Sequence, residues 1–239
     1  MKTISAQDLG FKELNRQVKA ATEDVCINDC YGQRFIGSAL KGRKLTINGT
    51  PGNALGAYLD GGVIEVNGNV QDAVGDTMNC GKIIVHGDAG DALGYAMRGG
   101  SIYVRGDSGY RTGIHMKEYK DRIPAIIIGG RVGSFLGEYL AGGIIVVLSI
   151  GVEDIPVGNF TGTGMHGGKI LIRTNRELTR LPEQVVTNIA TADDLKAVQP
   201  YITEFAEHFG MNAEPLLKDR FYILKPNAKN PYKQLYTEN

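Results

Sequence analysis

Glycines recur every 19 residues through most of this chain. Gly37, Gly56, Gly75, Gly94 and Gly113 are each 19 residues apart, and Gly137 and Gly162 continue the series after insertions of 5 and 6 residues. A fixed short period marks a repeat architecture, in which each unit buries its apolar side only against its neighbours. Other columns register on this ladder. Leu40, Leu59, Met78, Met97, Met116, Leu140 and Met165 come three residues after each glycine. Ile36, Leu55, Val74, Leu93, Thr112, Leu136 and Thr161 come one residue before. A β-rich run then follows in each repeat, LTI at 45–47, IEV at 64–66, IIV at 83–85, IYV at 102–104, IVV at 145–147 and ILI at 170–172. In the fifth repeat the insertion moves the run to about 126–128.

Nineteen residues are too few for a strand with a crossover helix, and they are about half of a propeller blade. With 33 glycines in 239 residues, the chain has about twice the usual ~7%, which argues against long helices. What remains is short strands joined by bends in which φ is positive. The sequence predicts a mainly-β, parallel β-helix of about seven coils, with like residues stacked in columns at roughly 4.7–4.9 Å. The chirality rule for parallel connections predicts a right-handed coil. Gly37, Gly56, Gly75, Gly94, Gly113, Gly137 and Gly162 are its structural glycines. The limits are a cap helix and lead-in over 1–30, the β-helix over 31–175, and C-terminal helices and tail packed on it over 176–239.

Within the β-rich runs, the first and third residues are nearly all Ile, Val or Leu, so the middle residue points outward. That outward column reads Thr46, Glu65, Ile84, Tyr103, about Ile127, Val146 and Leu171. It begins polar and turns apolar. A stacked apolar stripe is not left in water, so the C-terminal segment or another protein is expected to cover it.

The terminal segments read as covers. Residues 5–21 form an amphipathic pattern with Phe11, Leu14, Val18 and Ala21 on one face, and Ser5 with Asp8 resembles a capping-box start. Such a helix would shield the open edge of the first coil. Near the other end, Thr191 with Asp194 opens a helix that stops at Gly210, with Pro200 either breaking it or opening a second one. Asn212 caps a short helix to about Arg220, and a brief strand and extended tail follow.

Charge is balanced at 26 basic against 26 acidic residues, so nothing in the net charge draws the chain to nucleic acid or an anionic membrane. No run of 18 apolar residues is present, and the N-terminus lacks the apolar core of a signal peptide. Three cysteines with no framework spacing point to a cytoplasmic protein with reduced thiols.

Several motifs dissolve on inspection. Gly162-Thr163-Gly164-Met165-His166-Gly167 matches a dinucleotide fingerprint, which needs a helix after it. Here a strand, KILIRT, follows, and two of its glycines belong to the repeat. Cys26 and Cys30 have three intervening residues rather than two, and are read as ordinary thiols. The four histidines show no metal spacing, and His86 falls in an outward column with Asn48, Asn67 and Arg105, where a side-chain ladder is expected. No catalytic, cofactor-binding or metal-binding residue is assigned. The fifth turn, 109–128, is irregular, and long excursions from a regular scaffold often carry function. Tyr110, Arg111, His115 and Arg122 are therefore the candidate partner contacts, with a solvated loop as the alternative.

The repeats, of the form G-[DN]-A-x-G-x-x-x-x-G-G-x-I-x-V, resemble the GXGXG domain at the C-terminus of the glutamate synthase large subunit. Further likenesses are Glu138-Tyr139-Leu140-Ala141-Gly142-Gly143 with Val146-Val147-Leu148, Gly158-Asn159-Phe160 with Gly164-Met165-His166-Gly167-Gly168, and a closing stretch from Phe221 to Tyr232 with Lys225-Pro226. The resemblance covers about 25–235 and departs around 109–128. It implies a scaffold without catalytic residues. In that enzyme other domains do the chemistry: an amidotransferase releases ammonia, and a barrel with FMN and an iron–sulfur cluster makes glutamate. This chain lacks both, so the resemblance implies a free-standing scaffold subunit of a split complex, with the FMN and iron–sulfur cluster on partner subunits and a role in nitrogen metabolism. A related β-helix occurs as one of the subunits of formylmethanofuran dehydrogenase, and a complex of that kind is the second reading. Two further readings are a stand-alone carbohydrate-active β-helix enzyme, with Glu118 and Asp121 as its acids, and a homo-oligomer formed through the apolar stripe.

Overall fold

The computed structural model describes residues 1–179 and 181–227. Nine strands pair in chain order, all parallel, among the described residues: β1 (Lys2–Ser5), β2 (Val25–Tyr31), β3 (Lys44–Thr50), β4 (Asp60–Asn67), β5 (Cys80–Val85), β6 (Ser101–Val104), β7 (Ala125–Ile128), β8 (Ala141–Val147) and β9 (Gly167–Arg173). The pairing register is the sequence period itself: Ile64 sits on Ile83, Ile83 on Ile102, Ile102 on Ile126 and Ile126 on Ile145. The 19-residue ladder is therefore a β-helix, and the displaced fifth run is β7.

Each coil meets its neighbours at three places. One is the strand. A second is a thin ladder of single bridges through Val70, Ala89, Ser108, Val132 and Val157. The third is the corner that carries the key glycine, whose N–H donates to the coil before, as in Gly56 to Ile36 O at 2.8 Å and Gly113 to Leu93 O at 2.8 Å. The inward columns merge into one core running the length of the coil, from Val25 and Leu45 to Ile170 and Ile172.

Both ends close differently from the sequence expectation. The N-terminal helix, α1 (Phe11–Ala20), begins at Gly10 with no side-chain cap, and Leu14 and Val18 are its buried face. Ser5 is not a cap. It belongs to β1, which adds a rung beneath β2 in register Lys2 to Val25. Backbone pairing to an open sheet edge outweighed a local capping pattern. At the other end the sheet turns antiparallel. Strand β11 (Phe221–Pro226) pairs with β9, and β10 (Val185–Ile189) pairs with β11. The closing stretch is thus a strand as far as Pro226, while Tyr232 lies outside the described residues.

The apolar stripe is covered by the chain itself. Ile84, Tyr103, Ile127, Val146 and Leu171 form a second core with Val198, Ile202 and Phe205 of α2 (Ala192–His208), Leu216 of α3 (Ala213–Lys218), and Phe221 and Ile223 of β11. Helix α2 opens on a complete capping box between Thr191 and Asp194, and Asn212 caps α3 through Glu214 N at 3.0 Å. Gly210 follows the helix with φ +64°. Pro200 does not break α2, which runs through it. Pro200 and Lys196, whose carbonyl would have been its partner, are both exposed, so the freed carbonyl faces the solvent side. The homo-oligomer reading loses its surface, because the stripe is already buried.

One polar node pins this cover. Tyr103, fully buried, donates from its hydroxyl to Glu204 Oε2 at 2.6 Å. Lys82 pairs with the other oxygen, and His208 Nε2 lies 3.5 Å from it. Burial opposes ionisation of Glu204, but the bonds from Lys82 and Tyr103 outweigh it and hold the carboxyl below its ordinary value. Burial, and then the Glu204 carboxylate, push the Tyr103 phenol well up.

Candidate partner interface

The glycine corner has an unusual backbone. In every coil from the second onward, three alternate residues have positive φ. The central one is the key glycine; the flanking two, at −2 and +2, are Phe35 and Ala39, Ala54 and Tyr58, Ala73 and Thr77, Ala92 and Ala96, Arg111 and His115, Phe135 and Tyr139, and Phe160 and Gly164. Non-glycine residues rarely adopt this conformation singly. Here it is held by hydrogen bonds in both directions. From Phe35 to Tyr139 the flanking N–H groups donate to the next coil, as in Arg111 to Ser134 O at 3.0 Å and His115 to Glu138 O at 2.9 Å, and from Gly56 onward the central N–H donates to the previous one; Phe160 and Gly164, on the last coil, make no such bond among the described residues.

This alternation divides the corner into an inside and an outside. A Cβ on Gly56 would sit 2.7 Å from Ile83 Cδ1, inside the core. The flanking residues lie on the outer side of this alternation: Phe35, Tyr58, Arg111, His115 and Phe160 are exposed, whereas Ala54 and Thr77 are nearly covered. In the early coils alanines alternate with Phe35 and Tyr58, and large side chains cluster in the late coils, at Arg111, His115, Phe135, Tyr139 and Phe160.

The late coils therefore carry two columns of stacked rings. In one, Phe135 and Phe160 stack with centroids 5.0 Å apart, and the Arg111 guanidinium lies 4.8 Å over Phe135. In the other, His115 stacks on Tyr139 at 5.1 Å and 8° between planes, and Tyr95 meets His115 edge-on at 5.9 Å. Arg111 Nε donates to Glu138 Oε2 at 3.1 Å, tying the first column to the next coil. Gly164 completes the second column: a Cβ there would meet Tyr139 Cδ1 at 2.5 Å. The dinucleotide-like Gly162 and Gly164 are thus corner residues with φ +74° and +70°, and β9 follows them. Phe160 is 53% exposed and Tyr139 37%. Exposed aromatic rings with an arginine are the composition of protein–protein contact centres.

Of the four expected contacts, the structure brings Arg111 and His115 into this surface. Tyr110 lies beside Arg111 at the end of a different device. Asn53, Asp72 and Asp91 each accept, from the coil above, the N–H of Asp72, Asp91 and Tyr110 in turn. Tyr110 ends that ladder with an exposed ring. Arg122 is elsewhere. The excursion folds back on earlier coils, where Arg122 Nη1 donates to Asn79 O at 3.4 Å and stands 3.8 Å from Asp60. Phe135, Tyr139, Phe160 and Tyr95 are surface residues that the sequence did not single out. Their spacing from the key glycines was the available signal.

Other expected features resolve here too. Glu118 Oε1 accepts the Gly143 N–H at 2.9 Å, which makes it a brace for β8 rather than half of a carboxylate pair. The polar ladder is real between Asn28, Asn48 and Asn67, at 2.7 Å for each bond. His86 departs from it, bonding Glu65 at 3.1 Å and meeting the Phe209 ring edge-on. The three cysteines are free thiols, and burial pushes the Cys30 thiol up to about 11. No helix among the described residues is long and apolar enough to cross a membrane.

Comparisons with known proteins agree with this architecture. A family profile described as the GXGXG motif matches residues 5–227. A protein of Methanocaldococcus jannaschii, described only as uncharacterized, is 41% identical over 249 residues, covering 98% of this chain and 95% of its own. Among solved structures, a chain of the formyltransferase/hydrolase complex from Methylorubrum extorquens, crystallised with methylofuran, superimposes with a TM-score of 0.65 at 19% identity, over 92% of this chain and 90% of that one. At that identity the likeness is one of fold.

Proposed function

The chain belongs to the GXGXG motif family, and from that premise we propose that it is a non-catalytic scaffold subunit of a split glutamate-synthase-like complex. It would hold an amidotransferase-like subunit and a synthase subunit that carries FMN and an iron–sulfur cluster. One observation carries the scaffold reading: the ring columns at the corner are open while the other outer apolar column is sealed. The corner offers stacking area, one guanidinium and one carboxylate already paired, which suits binding rather than bond-making. The residues present do not suit a cluster of this chain's own. Cys30 is buried, Cys80 is exposed on another strand, and no group of three metal-ligating side chains occurs among the described residues.

The glutamate-synthase partners are favoured by the resemblance of the closing stretch. A second reading, a subunit of a complex like the formyltransferase/hydrolase assembly, is favoured by the fold likeness over nine-tenths of both chains. Affinity purification of the tagged chain from its native cell separates them. Recovery with an amidotransferase-like and a flavin/iron–sulfur subunit supports the first, and recovery with formyltransferase- or hydrolase-like subunits supports the second. Isolation without partners, while those subunits are present in the lysate, contradicts both.

A further inference from the structure

The first coil has no coil before it, and its corner is left with unmet backbone groups. In the later coils the key glycine N–H donates to the preceding coil, from Gly56 to Ile36 O at 2.8 Å through Gly162 to Leu136 O at 2.7 Å. The N–H four residues on does the same, as in Asp60 to Leu40 O at 3.0 Å and Arg98 to Met78 O at 2.8 Å. Gly37 and Lys41 hold those two positions in the first coil, and their N–H groups make no hydrogen bond among the described residues. Helix α1 stands on this side in place of a coil and meets only part of the edge. Its Asn15 Nδ2 donates to Arg34 O at 2.8 Å, the counterpart of Asn53 O, which accepts from Phe35 N at 3.0 Å. Ser38 O is the counterpart of Ala57 O, which accepts from Ala39 N at 2.8 Å, and it has no donor among the described residues.

Between α1 and this corner lies a cavity of about 610 Å³, and Gly37, Ser38 and Lys41 all line it. That volume lies within the ~300–1,000 Å³ of small-molecule sites. Contacts hold the helix at both ends of it. The Phe11 and Phe35 rings meet with centroids 6.2 Å apart, and Arg43 Nη1 donates to Val18 O at 3.2 Å and to Ala21 O. The bed is apolar, with Val18 and Leu40 buried beneath the two rings. The charge has one sign: Lys12, Lys19, Lys41 and Arg43 line the cavity, and no aspartate or glutamate does. Lys41 pairs with Asp60 at 2.9 Å, whereas Lys12 and Lys19 have no ion pair among the described residues. Glu13, on the same helix, is held by Arg16 and Gln17. Gly37 is buried, and a buried backbone N–H is almost always paired. Its missing partner is an acceptor, and the cations around it favour one that is anionic. Ser38 O, between the two donors, calls for an N–H in the same ligand.

We propose that this cavity binds a small organic anion of the N-acyl amino acid kind. Its two acceptors, carboxylate and acyl carbonyl, take the Gly37 and Lys41 N–H groups, and its amide N–H donates to Ser38 O. Its acyl chain lies on Val18, Leu40 and Phe35, and Lys12 and Lys19 at the rim select its charge. The site belongs to the first coil, while the stacked rings of Phe135 and Phe160 belong to the last two, so it stands independently of the partner reading.

The test is titration of the purified full chain with N-octanoylglycine, read by calorimetry and by the amide proton resonances of Gly37 and Lys41. The neutral N-octanoylethanolamine and a Lys12→Glu, Lys19→Glu variant are compared, since both lysines are exposed on α1. The site predicts saturable binding and a downfield shift of both amide protons. It also predicts binding weakened roughly tenfold or more for the neutral compound and for the variant. No binding at about 1 mM, the weak end of the affinity scale, overturns the proposal. Binding that leaves both amide protons unmoved overturns it without recourse to any variant, and so does equal binding of the neutral compound or by the folded variant. Protection of the Gly37 amide from exchange in the native assembly, with no response of the isolated chain to the anion, gives the cavity to a partner subunit and likewise overturns it.

Discussion

Two apolar columns run up the outside of this coil, and the chain treats them in opposite ways. The strand column, Ile84 to Leu171, is roofed by α2, α3 and β11 until its members are almost wholly buried. The corner column, Phe135, Tyr139 and Phe160 with Arg111 and His115, is left open. Both are products of the same stacking, which repeats whatever stands at a given position. The difference lies in what the C-terminal segment reaches. A roofed column contributes to stability, and an open one, on a backbone bonded in both directions, is a rigid surface available to another protein.

This contrast can be broken from its buried side first. Phe205→Ala empties the middle of the roof and should cost about 3–5 kcal/mol, seen as a large fall in denaturant midpoint. Next, Gly56→Ala forces a Cβ into Ile83 and keeps a positive φ, for a loss of about 1–3 kcal/mol. Tyr58→Ser, at the exposed outward position of the same corner, should change far less, and equal losses would erase the inside–outside distinction.

The polar pin of the roof gives a smaller, pH-dependent effect. The folded state holds the Glu204 carboxyl below its ordinary value of 4.5. Its contribution is therefore complete above that value and is lost as the pH falls through the lower folded pKa. Glu204→Gln should cost about 1–2 kcal/mol at pH 7, and the gap to the parent should close on acidification. A gap that widens in acid would contradict the sign.

The smallest stability effect belongs to the open column. Phe160→Ala removes one stacked pair at the surface, worth about 0.5–1.5 kcal/mol. The fold should survive, with an unchanged far-ultraviolet spectrum, while co-purification of partner subunits is lost. Retention of partners by this folded variant would move the interface elsewhere.

The roofed column was legible from residue types alone, because a β-run with an apolar middle residue has only one way to point it. The corner was not. Ala54, Ala73, Arg111, Phe135 and His115 carry no sign of positive φ, which emerges only from hydrogen bonding to the coils on either side. Local patterns misled where a long-range edge competed with them. Ser5 and Asp8 spell a helix cap, yet the open edge of β2 drew Lys2–Ser5 into a strand. Pro200 signals a break, yet α2 continues because the freed carbonyl faces the solvent side.

Oxidative footprinting of the aromatic side chains tests the central contrast most directly, comparing the isolated chain with its native assembly. Tyr95, Tyr139 and Phe160 should be labelled in the isolated chain and protected in the assembly, while Tyr103 stays unlabelled in both. Labelling of Tyr139 and Phe160 that is the same in both states, or Tyr103 that is labelled in the isolated chain, would contradict the account.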